Sequence, residues 1–340
     1  MWNQQQSFSH LSEIESPTNR IKKMATIPGS ISVKASLHKL SLWLVSVLIV
    51  LVFCLVTNQG AIASFQERPQ AIGNEELGAI EARKAVKRVT GDVKPIGNGE
   101  VSTWVELDQD GHPTSIGVTM TEDGLYGLPE SDDDPAEKDA LKLTLLDGIG
   151  HATYEHELAF PAEVKETAFN HMGYNWNAFG HWPGGIFTEP HFDVHFYMES
   201  MDYRHSMDKS AKQDILIGHK KMERKYVPPG HSIVYGTLEP RMGIHWADLS
   251  SPELKPGNFN KIFLFGSYNG KMLFWEPMIT RRFLLTKPTN YVEPIVQPYE
   301  YPKSGYYPLE YSIRYNADKK EFDIALDKLV YRQGFEEKIN

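Results

Sequence analysis

The stretch PHFDVHFYME, residues 190–199, carries two histidines, an aspartate and a glutamate among aromatic and aliphatic residues. Read as a strand, Phe192, Val194, Phe196 and Met198 share one face, and His191, Asp193, His195, Tyr197 and Glu199 share the other. A helix would scatter the same apolar residues around its circumference, so the spacing predicts a strand with one greasy and one ionisable face. Imidazoles with carboxylates and no thiolate suit zinc, iron or manganese rather than calcium alone.

Spacing limits how such a face can chelate. Same-face neighbours on a strand stand about 6.6 Å apart, which separates His191 from His195 by about 13 Å. An imidazole holds zinc about 6 Å from its own Cα, so these two histidines meet at one ion only at full stretch. The compact pairs are His191 with Asp193 and Asp193 with His195. Either the strand bends or bulges, or one histidine takes a supporting or acid/base role.

Other donors cluster nearby in sequence. Of the 13 histidines, ten lie between His151 and His245. GHWPGG reads as a tight loop that brings His181 to the start of the strand, and MGIHWAD supplies His245. Glu276, just before Pro277, is the distant carboxylate. The expected ligands are therefore His181, His191, His195, His245 and Glu276, and the expected catalytic groups are Asp193, Glu199 and Tyr197. An ion on His181, His191 and His245 would act as a Lewis acid, with Asp193 or Glu199 as base and Tyr197 or His195 as donor. The reaction class is hydrolysis or a lyase step on a small polar substrate. Trp182 and Trp246, each directly after a histidine, are expected to exclude water. Arg241 could take an anion, though a structural ion pair is the commoner role for such an arginine. The competing readings are a hydrogen-bonded polar network inside a barrel or at a subunit contact, and a solvated face. A network of that kind fits a non-catalytic, homo-oligomeric binding or stress-related protein of the cell envelope.

The elements that must position these groups read as mainly β. VSTWVELDQDGHPTSIGVTM gives two strands around Asp110-Gly111, and KIFLFGSYNGKMLFWEP gives two more around Asn269-Gly270. SDDDPAEKDA is a solvated acidic loop, because it lacks the spaced ligands and glycine of a calcium loop. Pro277 to Leu285 is expected to form a short helix with Pro277 first. The Tyr- and Pro-rich stretch that follows reads as an extended arm over the body, and LEYSIRYNADKKEFDIALDKLV closes the chain as a hairpin. The expected fold is a single antiparallel β-barrel or sandwich over residues 98–335, with residues 64–97 as a linker holding an amphipathic patch from Glu75 to Arg88.

The start of the chain differs in kind. An apolar run from Leu40 to Val56 follows Lys34 and Lys39 and precedes Ala61-Ile62-Ala63, the pattern of a secretory signal cut after Ala63. The run is also long enough for an uncleaved membrane anchor. Either way the rest is placed outside the cytoplasm, periplasmic or secreted. Met24 is an alternative start. Cys54, the sole cysteine, lies inside the apolar run, so the exported part can form neither disulfides nor thiolate metal sites. Loss of residues 1–63 removes five basic and two acidic groups and takes the formal charge from −9 to −12, which argues against a nucleic-acid partner. A small-molecule ligand is the expected partner.

GHWPGGIFTEPHFDVHFY, PRMGIHWADLSSPE and FGSYNGKMLFWEPMIT, in this order and with the ending GYYPLEYSIRYNADKKEF, resemble the TTHB-two-ten-like domain family of exported bacterial proteins. The resemblance spans roughly residues 98–335. It implies secreted, self-associating domains with no settled activity, hence a homo-oligomer. Carried over position by position, it points to His181, His191, Asp193, His195, His245 and Glu276.

Overall fold

Alternating apolar residues and turn-forming pairs produce sixteen strands among the described residues of the computed structural model, which are 73, 78–80, 82–136, 139–145, 150–207 and 211–335. The apolar run 40–56, Cys54, Ala63 and Met24 lie outside them. No helix among the described residues is long and apolar enough to cross a membrane. All the described residues fall within the unit Arg68–Asn340.

The strands are β1 (Lys87–Ile96), β2 (Gly99–Leu107), β3 (Pro113–Thr121), β4 (Leu141–Thr144), β5 (Ala152–Ala159), β6 (His171–Asn177), β7 (His191–Tyr197) and β8 (His231–Ile233). They continue with β9 (Ile244–Asp248), β10 (Lys261–Tyr268), β11 (Lys271–Thr280), β12 (Tyr291–Pro294), β13 (Gly305–Tyr307), β14 (Glu310–Asn316), β15 (Glu321–Asp327) and β16 (Val330–Arg332). Two sheets dominate, one of six strands in the order β1-β2-β3-β15-β14-β12 and one of eight in the order β4-β5-β6-β7-β11-β10-β9-β8. All the pairings within the sheets are antiparallel. Neither large sheet closes on itself, so the barrel gives way to a sandwich-like arrangement.

The two sheets share an apolar core. Ile116, Val118 and Met120 of β3 and Ile313 of β14 join Tyr174, Phe192, Val194, Phe196 and Trp275 of the larger sheet in one buried cluster. The Tyr174 hydroxyl donates to Met120 Sδ at 3.4 Å across the interface. The greasy face expected for residues 192–196 therefore points at the smaller sheet, and the ionisable face points away from it.

Local expectations are met at both turns. Asn269 and Gly270 take positive φ values of 53° and 76°, the mirror-image turn that matches strand twist, and β10 pairs with β11 around them. The Tyr-rich arm lies on the body, with Tyr301 and Tyr307 buried, and it contributes β12 and β13. Two expectations change. Lys87–Ile96, within the stretch read as a linker, is strand β1, paired with β2 through a bulge between Thr90 and Val93. Pro277 does not open a helix. It sits inside β11 opposite Phe263, and the helix is only Arg281–Leu284, whose first turn is capped by the Thr280 side chain accepting from Phe283 N–H. A proline can start a helix, but here the continuous pairing of β11 with β10 outweighs that local preference.

Candidate metal centre

Strand β7 is central to the larger sheet and paired on both sides without a register shift. It pairs with β6 from His171↔Tyr197 to Asn177↔His191, and with β11 from Phe274↔Tyr197 to Thr280↔His191. That register sets Asn175 beside Asp193, and it sets Glu276 beside His195, between the pairs Trp275↔Phe196 and Met278↔Asp193. On the far side of β11, strand β10 carries Gly266 opposite both Phe274 and His245. A methyl group at Gly266 would fall 1.9 Å from the Phe274 ring, so only glycine leaves room for that ring beside β10.

The polar face is thus buried: His191, His195 and Glu276 are fully covered, and Asp193 and His245 nearly so. Loops and a short helix cover it. The loop between β6 and β7 brings His181, the segment before β9 brings Thr237 and Glu239, and helix α1 (Met201–Ser206) inserts Arg204.

The donors form two sets. His181 Nε2 lies 3.3 Å from Asp193 Oδ2, His191 Nε2 lies 3.1 Å from Asp193 Oδ1, and the two Nε2 atoms are 3.1 Å apart. His195 Nε2 lies 3.3 Å from Glu276 Oε1, and His245 Nε2 lies 3.5 Å from Glu276 Oε2. Within each triad the candidate ligand atoms all fall within 4.8 Å of one another. Two donors bound about 2.0–2.1 Å from a tetrahedral zinc sit about 3.3 Å apart, which is the separation seen.

The other nitrogen of each ring is already engaged. Nδ1 pairs with the carbonyl of Trp182 for His181 (2.8 Å), of Glu189 for His191 (2.6 Å) and of Thr237 for His245 (2.7 Å), and with Asn175 Oδ1 for His195 (3.1 Å). A carbonyl oxygen only accepts, so Nδ1 carries the proton in each of these contacts and Nε2 faces the triad. Asn177 Nδ2 donates to Asp193 Oδ2 at 2.8 Å. By contrast His195 Nε2, Glu276 Oε1, Glu276 Oε2 and Asp193 Oδ1 are buried with no hydrogen-bond partner. Their neighbours stand 3.1–3.5 Å away, in contact without a hydrogen bond. Orphaned acceptors of this kind are costly unless a cation or proton joins them.

Charge separates the triads. Burial raises the Asp193 carboxyl, but the charges of His191 and His181 beside it pull it well below the usual carboxylate range. Burial opposes a charge on His181, yet Asp193 raises it overall. In the second triad burial, with the Asp193 charge, pushes Glu276 well above the carboxylate range. Burial also holds His195 well below its ordinary value and lowers His245 to about 4.

A narrow cavity of about 10 Å³ reaches the donors past His181, Trp182, Asp193, Glu239 and His245. That is the space of about one water molecule. Trp182 stands at its rim, 43% exposed. Trp246 does not wall the site: it belongs to the apolar core and donates to Ser267 Oγ at 2.8 Å.

The structure brings together His181, His191, Asp193, His195, His245 and Glu276, but it places His245 with His195 and Glu276 and not with His181 and His191. Tyr197 lies on the same face, stacked on His171 and His195, with Arg204 3.6 Å over its ring and its hydroxyl buried without a partner. Glu199 lies beyond the end of β7 and lines a separate surface cleft with Lys220, Lys271 and Lys303. Sequence reasoning missed Arg204. It is fully buried and reaches Glu155 (2.5 Å), Glu157 (3.3 Å), His171 (3.1 Å) and the Arg241 carbonyl (3.0 Å). Burial, with the Arg204 charge beside it, lowers His171 to about 3. The sequence signal was the alternation in TYEHE and HMGYNWN, which puts Glu155, Glu157, His171 and Asn175 on the polar face.

The model of the TTHB210-like family, described as hypothetical protein TTHB210, matches residues 108–176. The resemblance read from the sequence is therefore present, on the segment from β3 to β6 that carries Glu155, His171 and Asn175. The motifs with the six donors lie outside that match. No curated protein and no solved structure matches.

Proposed function

From a chain that carries a TTHB210-like segment and two buried donor triads, we propose a metal-dependent protein that holds a divalent transition cation and works on a small polar substrate by hydrolysis or a lyase step. One observation carries the reading: Glu276 Oε1, Glu276 Oε2 and His195 Nε2 are buried, lie in one cluster of possible ligand atoms with His245, and lack any hydrogen-bond partner. His181, His191 and Asp193, or His195, His245 and Glu276, would hold the ion, leaving a coordination position toward the cavity. A bound ion of this type supplies Lewis acidity and a water activated near neutral pH. The protein's part is to fix each Nε2 through its Nδ1 contact, to exclude bulk water, and to hold or release a proton at the Glu276 carboxyl. Tyr197 supplies a hydroxyl on the same face. Zinc, iron and manganese all suit the donor set. The signal-like leader supports a location outside the cytoplasm, and the family resemblance supports a homo-oligomer. Elemental analysis of the purified protein tests the reading: one or more equivalents of transition metal, lost together with Glu276→Gln and His245→Ala, is expected, and metal-free protein that takes up none on dialysis against zinc or manganese ends it.

A second reading is favoured by the cavity, which admits little beyond a water molecule. The protein would then bind the cation without turnover, as a homo-oligomeric envelope protein. Loaded protein that is inert toward ester, phosphoester and amide substrates, yet assembles normally, supports this one.

A further inference from the structure

Resting on the cation-binding reading, we infer that the two triads each hold their own cation, one deep on His195, His245 and Glu276 and one nearer the mouth on His181, His191 and Asp193. The partition of ligand atoms carries the inference. Asp193 faces His191 with one oxygen and His181 with the other, and Glu276 faces His195 and His245 in the same way. No carboxylate oxygen remains to cross between the triads. The backbone prevents them from merging. Strand β7 is paired without a register shift on both sides, so it has no bulge to fold His191 toward His195. Along such a strand the two Cα atoms stand about 13 Å apart, beyond comfortable reach of one ion from imidazoles that place it about 6 Å from each Cα. Each triad also has its own orphaned atoms, Asp193 Oδ1 in one and His195 Nε2 with both Glu276 oxygens in the other, so each lacks a partner independently.

The two positions differ in access. The side chains of His195, His245 and Glu276 are 0%, 8% and 0% exposed, whereas His181 is 15% exposed and comes from a loop. The deep cation is the slowly exchanging one. The mouth cation, held in part by the partly exposed loop residue His181, is the one that exchanges.

The test is stoichiometry on the full chain. Wild type, His191→Ala and His195→Ala are saturated with zinc, freed of excess and assayed for metal per chain by mass spectrometry, then challenged with chelator. Two equivalents in wild type and one in each variant are expected. The ion left in His195→Ala should leave at least tenfold faster than the ion left in His191→Ala. One equivalent in wild type overturns the inference while the cation-binding reading stands, and none overturns both. Two equivalents that survive in both variants place the ions elsewhere and also overturn it. Asp193→Asn and Glu276→Gln, which keep side-chain volume, replace any alanine variant that fails to fold.

Discussion

Glu276 and His195 face one another across β11 and β7, both fully buried, with Oε1 and Nε2 3.3 Å apart and neither of these two atoms in a hydrogen bond. A carboxylate and an imidazole at that separation would ordinarily share a proton along the line between them. Here no hydrogen bond forms between them, and His245 Nε2 stands 3.5 Å from the other Glu276 oxygen. The metal-free protein satisfies this site poorly, and several consequences can be measured.

Glu276 should make the metal-free protein less stable as the pH rises. Its folded pKa lies well above the ordinary 4.5. Below about pH 4.5 folded and unfolded chains both hold the proton; above it the unfolded chain releases a proton that the folded chain keeps. Glu276→Gln cannot ionise, so in chelator its stability relative to wild type should rise with pH above that point, by up to about 1.4 kcal/mol per pH unit. Urea midpoints at pH 5, 6 and 7 check this, and a difference that is flat with pH contradicts it.

Arg204 supports the floor of the site and not the ligands themselves. Arg204→Met leaves Glu155 buried and unpaired and should cost about 3–5 kcal/mol in denaturant unfolding. Restoring neutrality with Glu155→Gln in the same chain should recover a large part of that loss. A single variant as stable as wild type would show that the pair carries no weight.

Gly266 on β10 pairs with His245 of β9 on one side and with Phe274 of β11 on the other. Gly266→Ala places a methyl against the Phe274 ring and should cost about 1–3 kcal/mol. Because Gly266 also pairs with His245, metal retention on the second triad should weaken at least tenfold while that on the first is unchanged. Equal loss from both triads would place the effect in general unfolding.

Tyr197→Phe separates a packing role from a chemical one. The hydroxyl has no partner, so its removal should shift stability by less than about 1 kcal/mol and leave metal content intact. A fall in turnover with unchanged metal content would identify Tyr197 as the proton donor; a loss of stability beyond 1 kcal/mol contradicts the account of its surroundings.

Half of this site was legible because His191, Asp193 and His195 lie on one strand. Alternation in HFDVHFY fixed the faces of β7, and its rise per residue already separated His191 from His195, which the structure places in different triads. The partner of each was not legible. It depends on β11 lying between β7 and β10, and sheet order is decided by long-range packing that no local pattern encodes. The same limit explains Pro277, whose local preference for a helix start yields to pairing with β10, and Arg204, which looks like a surface residue of a short helix until Glu155 and Glu157 are brought beneath it. Lys87–Ile96 was hidden for a further reason: its side chains are largely exposed at a sheet edge, so it lacks the apolar alternation that marks the inner strands.

The most direct measurement is anomalous diffraction at the zinc edge from crystals of the zinc-loaded protein. The account predicts one peak within about 2.0–2.2 Å of His195 Nε2, His245 Nε2 and a Glu276 oxygen, and a second at the same distances from His181, His191 and Asp193. A map with no peak at either triad, and with Glu276 hydrogen-bonded to protein or water, would contradict it.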